Sequence, residues 1–180
     1  MAQILLLHSV LGLRPLERDL ASRWQARGHD VALPDLYGGG FSDDYDTGFR
    51  LYEETGSEMV TARARRAHAA APGAVLVGIS MGTAVAARLW TPQTPGALML
   101  CGVAPPISAP PPGMACAAHV ARPDPFDEDG DIDDWAEALD AELHLYADIG
   151  HLFIDPNHPD HDAAAAEACL ARADAFLDRF

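Results

Sequence analysis

A serine lies in a motif of this chain that suggests covalent chemistry, since residues Gly78 to Gly82 read G-I-S-M-G. This pattern fits G-x-S-x-G, in which a tight turn from a strand to a helix lifts the serine hydroxyl clear of the sheet. Side chains two residues either side of the serine would collide in such a turn, so glycine is needed at both positions. Ser80 is therefore the candidate nucleophile for acyl transfer.

A histidine is expected downstream to activate this serine. A serine hydroxyl is a weak nucleophile at neutral pH, so it needs a base, and the base needs an orienting acid. For this motif the chain order is serine, acid, histidine. Five histidines follow Ser80, and two of them, His119 and His144, lie in or beside predicted strands, where a structural role is expected. His151 directly follows Gly150, in a loop just past the last predicted strand and before the final helix, so it is the candidate base.

Two aspartates, Asp124 and Asp127, follow the fifth predicted strand, where the orienting acid is expected. Asp124 comes first and is flanked by Pro123 and Pro125, which stiffen its loop. A stiff partner holds an imidazole in one tautomer, so we prefer Asp124 as the acid and keep Asp127 as the alternative.

Backbone amides are the expected partners of the oxyanion that forms during acyl transfer. One donor is the amide after the nucleophile, here Met81, and the other comes from the loop after the first strand. That loop runs from His8 to Gly12, and we expect Val10 to supply the second amide. The candidate walls of the substrate pocket are Leu11, Tyr37, Met114 and Leu152.

The elements that would position these residues alternate along the chain. Strands are predicted at residues 3–7, 31–33, 74–79, 96–101, 115–121 and 143–147, and helices at 16–27, 58–71, 81–90, 132–139 and 162–179. The stretch 37–48 is predicted to be a loop rich in glycine and aspartate, and 105–113 a proline-rich connector. This alternation predicts an α/β fold with a mostly parallel sheet of about six strands and helices on both faces. Ligands of such sheets bind at the carboxyl ends of the strands, where the candidate residues lie.

Composition and charge narrow the possible partners. The chain has 180 residues, 49% of them apolar, and a net charge of −15. This length favours a single domain over residues 1–180. The acidity argues against nucleic acid and against anionic membranes as partners. The N-terminus lacks the pattern of a signal peptide, and three widely spaced cysteines resemble free buried thiols, so we expect a cytoplasmic protein.

Five stretches together resemble the dienelactone hydrolase family of the α/β-hydrolase superfamily, and they are spread over nearly the whole chain in the family's order. They are residues 4–12, 34–37, 78–82, 124–126 and 150–153. The resemblance implies a compact α/β-hydrolase fold. It also implies that Ser80, Asp124 and His151 form the triad, with Val10 and Met81 as oxyanion donors.

The chain departs from the best-known members of this family at two positions. They carry cysteine where this chain has Ser80, and glutamate where it has Ser9. In those members the glutamate restrains the reactivity of the cysteine thiol. A chain that has serine in place of the cysteine no longer needs this glutamate, so the two departures agree with each other. Basic residues that would hold an acidic lactone are not clearly matched, and Arg14 and Arg50 are nearby candidates.

These observations predict a serine hydrolase that cleaves small carboxylic esters or lactones through an acyl-enzyme, without a cofactor or metal. The stretch 103–115, where many relatives insert a lid, is too short and proline-rich to form a lid domain. An acyltransferase or thioesterase using the same triad is an alternative. A non-catalytic binding protein on the same fold is another.

Overall fold

The computed structural model describes residues 1–105 and 108–180. Pro106 and Ile107 of the predicted proline-rich connector lie outside these residues. The described strands are β1 (Gln3–Leu7), β2 (Asp30–Ala32), β3 (Val75–Ile79), β4 (Gly96–Leu100), β5 (Ala115–Arg122) and β6 (Glu142–Ala147). They form one parallel sheet in the order β2-β1-β3-β4-β5-β6. The predicted parallel sheet of about six strands is therefore confirmed.

Helices cover both faces of this sheet. They are α1 (Pro15–Ala26), α2 (Tyr45–Thr55), α3 (Ser57–Ala70), α4 (Met81–Ala86), α5 (Asp129–Leu139) and α6 (Ala163–Leu177). Alternate side chains of β1 point to opposite faces, as the period of a strand requires. Ile4 and Leu6 pack with α1 and α6, whereas Leu5 and Leu7 pack with α3, α4 and α5. Within the described ranges, every helix is too short or too polar to cross a bilayer.

The helix α2 corrects the prediction of a loop over residues 37–48, because the chain becomes helical at Tyr45. Asp44 caps the helix, and its carboxylate accepts a hydrogen bond from the Thr47 amide at 2.8 Å. The helix contains a glycine, Gly48, and glycine disfavours helices, so the sequence pattern does not predict a helix here. Gly48 is needed for close packing, since a Cβ atom there would lie 2.9 Å from the carbonyl oxygen of Val10.

The helix α4 is shorter than predicted, ending at Ala86 instead of Trp90. Beyond this point the chain continues in tighter turns. The amides of Arg88 and Leu89 donate to the carbonyls of Val85 and Ala86, three residues back. The small residues that suggested a longer helix are compatible with either geometry.

The turn between β3 and α4 depends on very close backbone packing. A Cβ atom on Gly78 would lie 2.5 Å from backbone atoms of Gly82, and one on Gly82 would lie 2.3 Å from the carbonyl oxygen of Leu7. The start of α4 therefore rests directly on the end of β1. This contact brings the loop after β1 beside the turn that carries Ser80.

We expect Gly82→Ala to lower the free energy of unfolding by about 1–3 kcal/mol, because an added methyl group forces backbone atoms apart. The measurement is urea denaturation followed by circular dichroism. Gly130→Ala in α5 is the matched control, since a Cβ atom there meets nothing within 4 Å. This control should leave stability unchanged or raise it by up to about 1 kcal/mol. Equal effects of the two substitutions would contradict the packing argument.

Candidate active site

Ser80 adopts a strained backbone conformation in the turn between β3 and α4, with φ 51° and ψ −116°. This left-handed region is uncommon for a residue with a side chain. Two contacts hold it there. The Ser80 amide donates to the carbonyl of Leu100 at 2.9 Å, and the Thr83 amide donates to the carbonyl of Ser80 at 2.8 Å. The strain is thus maintained by the ends of two neighbouring elements, as G-x-S-x-G indicates.

The structure brings Ser80 together with His151, 71 positions later in the chain. The Ser80 Oγ lies 2.8 Å from the His151 Nε2. The other ring nitrogen, Nδ1, lies 2.7 Å from Oδ2 of Asp124. The side chains of His151 and Asp124 are 2% and 0% exposed. The three side chains therefore form one hydrogen-bonded series that is shielded from water at its acidic end.

Of the two candidate aspartates, Asp124 is the one that contacts the imidazole. Its second oxygen accepts from the amides of Phe126 at 2.9 Å and Asp127 at 3.3 Å, which fixes the carboxylate within its own loop. Asp127 is turned the other way, and its Oδ2 accepts from the Val103 amide at 2.9 Å.

The loop that carries His151 is fixed by Asp160. The carboxylate of Asp160 accepts from the Leu152 amide at 3.0 Å and from the Tyr45 hydroxyl at 2.9 Å. Although partial burial alone would raise it, these hydrogen bonds hold the pKa of Asp160 below its ordinary value. Asp160 therefore stays charged and ties the histidine loop to α2.

Val10 and Met81, the expected oxyanion donors, both line the same cavity as Ser80. Neither of their amides donates a hydrogen bond to a residue in the described part of the chain. The Val10 peptide is oriented by its carbonyl, which accepts from the Tyr37 hydroxyl at 2.9 Å. Both amides are thus available to an oxygen bound beside Ser80.

A buried charged network supports the loop after β1. Glu17 accepts from the amides of Arg14 at 3.0 Å and Ser9 at 3.4 Å. The Arg14 guanidinium pairs with Asp155 at 2.7 Å and with Asp43 at 3.1 Å. Because Asp155 belongs to the histidine loop, this network joins the loops after β1 and β6. Burial, together with a smaller effect of the nearby Asp155 charge, raises the pKa of Glu17 to about 7 despite its hydrogen bonds from the two amides.

This arrangement corrects the idea that Arg14 could hold an anionic substrate. Its side chain is 2% exposed and is occupied by Asp155. Arg50 is exposed and donates to Thr47 at 2.8 Å. Neither arginine is among the residues that line the cavity.

A cavity of about 310 Å³ opens at Ser80. Most of its wall is apolar or aromatic, and its polar side chains are few. The described residues that line it are Val10, Tyr45, Phe49, Tyr52, Ser80, Met81, Thr83, Ala84, Cys101, Gly102, Val103, Phe126, Asp127 and His151. The candidate site therefore combines the polar series of Ser80, His151 and Asp124 with a largely apolar cavity.

The four residues expected to form the pocket walls lie elsewhere. Leu11 and Leu152 are buried in the core beside α1 and α6, and Met114 is buried in the core on the opposite face. Tyr37 lies behind the loop after β1, with its hydroxyl 3.4 Å from the Met81 sulfur. Leu11, Tyr37 and Leu152 follow strand ends and Met114 precedes β5, but all four side chains belong to the core instead of the cavity wall.

Sequence reasoning missed the wall that α2 provides. Tyr45, Phe49 and Tyr52 all line the cavity. Their spacing of four and then three residues is that of one helix face, and it was the available signal. Phe126, within the Asp124 loop, completes this wall and lies 4.7 Å from the His151 ring.

Clusters of potential metal ligands are absent from the described parts of the chain. No group of three or more histidine, cysteine, aspartate or glutamate side chains there is arranged to hold an ion. The cysteines Cys101, Cys116 and Cys169 are free and buried.

Comparison with known proteins identifies the family. The model of the dienelactone hydrolase family matches residues 1–180. No curated protein matches the chain.

Solved structures share the fold at low sequence identity. A Klebsiella pneumoniae protein provisionally named dienelactone hydrolase is 17% identical, with a TM-score of 0.72 over 100% of this chain and 88% of that chain. A dienelactone hydrolase-like promiscuous phosphotriesterase from metagenomic libraries is 16% identical, with a TM-score of 0.72 over 99% and 86%. A Xanthomonas campestris protein provisionally named a hydrolase of the α/β superfamily is 21% identical, with a TM-score of 0.68 over 100% of both chains.

The raised pKa of Glu17 predicts a dependence of stability on pH. A folded-state pKa of about 7, above the ordinary value of 4.5, contributes stability that is present at low pH and is lost as the pH rises through 7. We expect the free energy of unfolding of Glu17→Gln, measured relative to wild type, to be about 2 kcal/mol higher at pH 8 than at pH 5. Urea denaturation at both pH values measures this change.

The control for this prediction is Glu137→Gln, which removes an equal charge from the exposed side of α5. Its stability relative to wild type should change little over the same pH range. A Glu17→Gln curve parallel to that of wild type would mean that the carboxyl group titrates as an ordinary glutamate.

Proposed function

Since the chain belongs to the dienelactone hydrolase family, we propose that it is a serine hydrolase that cleaves small carboxylic esters or lactones through an acyl-enzyme intermediate. The observation that carries the proposal is the series from Ser80 through His151 to Asp124, with contacts of 2.8 and 2.7 Å. We further propose that residues 1–180 act as a single hydrolase domain.

The first step forms the acyl-enzyme. His151 Nε2 accepts the Ser80 proton while Oγ attacks the ester carbonyl. Asp124 accepts a hydrogen bond from Nδ1–H, which holds the tautomer and stabilises the imidazolium that forms. The short contact and the full burial of the Asp124 side chain support this role.

The amides of Val10 and Met81 stabilise the negative charge that develops on the carbonyl oxygen. Preorganised donors of this kind contribute more than donors that must first reorient. The strained Ser80 turn and the Tyr37 contact to the Val10 carbonyl support such preorganisation.

The second half of the reaction frees the product. His151 donates its proton to the leaving alcohol, then accepts a proton from water as the water attacks the acyl carbonyl. Collapse of the second tetrahedral intermediate restores the Ser80 hydroxyl and releases the acid. These steps use the side chains named here, the two amides and water.

The cavity supports a small substrate. Its volume of about 310 Å³ fits a short acyl group together with a modest alcohol or ring. The apolar wall formed by α2 and Phe126 supports binding of the hydrocarbon part of an ester.

Ser80→Ala should lower kcat/KM for p-nitrophenyl acetate by at least about 10⁴-fold, because no nucleophile remains. It should also abolish labelling by a fluorophosphonate probe. Ser22→Ala is the matched control, since Ser22 is exposed on α1 and its hydroxyl donates to the Arg18 carbonyl. Equal hydrolysis by wild type and Ser80→Ala would exclude Ser80 as the nucleophile. An unlabelled, inactive but folded wild type would favour a binding protein.

A comparison of Asp124→Asn and Asp127→Asn tests which aspartate orients the imidazole. Asp124→Asn should lower kcat by about 10⁴-fold, because the amide favours the wrong tautomer of His151. Asp127→Asn should cost at most about tenfold, since its oxygen contacts the Val103 amide instead. The measurement is kcat for p-nitrophenyl acetate after circular dichroism has confirmed folding. A larger loss in Asp127→Asn would reverse the assignment.

A further inference from the structure

The charge of the cavity wall is unusual for a site expected to hold an acidic lactone. Among the described residues that line it, Asp127 is the one carboxylate and no lysine or arginine is present. Arg14, one of the two arginines that the sequence offered for holding an anion, is buried in its pair with Asp155. An anionic substrate would therefore meet an acidic group without a basic partner.

Asp127 is placed to contact a ligand. Its Oδ2 accepts from the Val103 amide at 2.9 Å, whereas Oδ1 makes no hydrogen bond with the described residues. A Cβ atom on Gly102 would lie 2.9 Å from Oδ2, so the absence of a side chain there leaves room for the carboxylate. Partial burial raises the pKa of Asp127, and the Asp124 charge raises it further. A cation bound beside Asp127 would offset both effects.

Aromatic side chains surround the same space. Tyr45, Phe49, Tyr52 and Phe126 line the cavity with Asp127. Phe49 and Phe126 lie 6.0 Å apart between ring centres and are 43% and 47% exposed. Aromatic rings together with a carboxylate form the environment that binds alkylammonium groups, because rings attract the cation and cover its methyl groups.

We propose that this site selects esters that carry a quaternary ammonium group, and that Asp127 is a specificity-determining residue for that charge. This inference rests on the proposed esterase function. The aromatic wall contacts the methyl groups of the substrate, and the free Asp127 oxygen faces its positive charge. The net charge of −15 favours the approach of such a substrate.

The kinetic test compares esters that differ in charge but little in shape. One pair is acetylthiocholine and 3,3-dimethylbutyl thioacetate, with the cation in the thiol part. The other is the p-nitrophenyl ester of trimethylammonioacetate and that of 3,3-dimethylbutanoate, with the cation in the acyl part. The ratio of kcat/KM for the cationic ester to that for the neutral ester is corrected for uncatalysed hydrolysis. It should fall about tenfold in Asp127→Asn for at least one pair.

The control is Glu128→Gln, which removes the neighbouring charge without altering the cavity wall. It should keep the wild-type ratio. Asparagine at position 127 retains an oxygen for the Val103 amide, so the comparison isolates the charge. Unchanged ratios for both pairs in Asp127→Asn would overturn the proposal, and so would an equal fall in Glu128→Gln.

A binding experiment separates this inference from the proposed function. Ser80→Ala protein is titrated with choline and with its neutral isostere 3,3-dimethyl-1-butanol, followed by NMR. Preferential binding of choline that is lost in Ser80→Ala/Asp127→Asn would support the cation site even if wild type hydrolysed no ester. Hydrolysis of neutral esters together with equal binding of both alcohols would overturn the cation site and leave the esterase intact.

Discussion

The contact between the start of α4 and the end of β1 is the constraint on which the site depends. Gly82 lies so close to the Leu7 carbonyl that only a hydrogen atom fits between them. This closeness brings two loops from neighbouring strands to one point at the carboxyl edge of the sheet. Ser80 and Val10 lie at that point because the backbones of their elements touch, with no side chain between them.

Buried polar contacts then fix what the sheet brings together. Asp160 ties the histidine loop to Tyr45 of α2, and the Arg14–Asp155 pair ties it to the loop after β1. Buried charges of this kind tolerate the loss of a partner poorly, because the remaining charge stays out of water. The loops around the site are therefore linked to one another by direct contacts, which is the arrangement that accurate positioning of a base and two amides would require.

The sequence predicted the parts of the site that depend on backbone geometry. Ser80 was predicted from the glycines on either side of it, and His151 and Asp124 were predicted from chain order and from their positions after strands. The structure brings these three side chains together. The direction in which a side chain points was harder to predict from the sequence. Leu11 and Leu152 follow strand ends as expected, yet they point into the core.

The helix α2 escaped prediction for a related reason. Gly48 weakens the helical pattern, and only its contact with the Val10 carbonyl explains why glycine is there. That contact joins residues 38 positions apart, so no local rule reveals it. The structural role of Arg14 could not be predicted for the same reason, because its ion-pair partner Asp155 lies far along the chain.

Because α2 forms part of the cavity wall, two different parts of the fold contribute residues to the candidate site. Strand ends carry the proposed reacting groups, whereas Tyr45, Phe49 and Tyr52 of α2 form much of the cavity wall that a substrate would contact in the proposed reaction. The ring contacts described for His151 are with Tyr45 and Phe126. Exchange of Phe49 and Tyr52 would therefore reshape the cavity wall and leave those two contacts in place. If substrate preference changed among descendants of this protein, the first substitutions should accordingly lie in α2. Substitutions at the ends of the strands should come last.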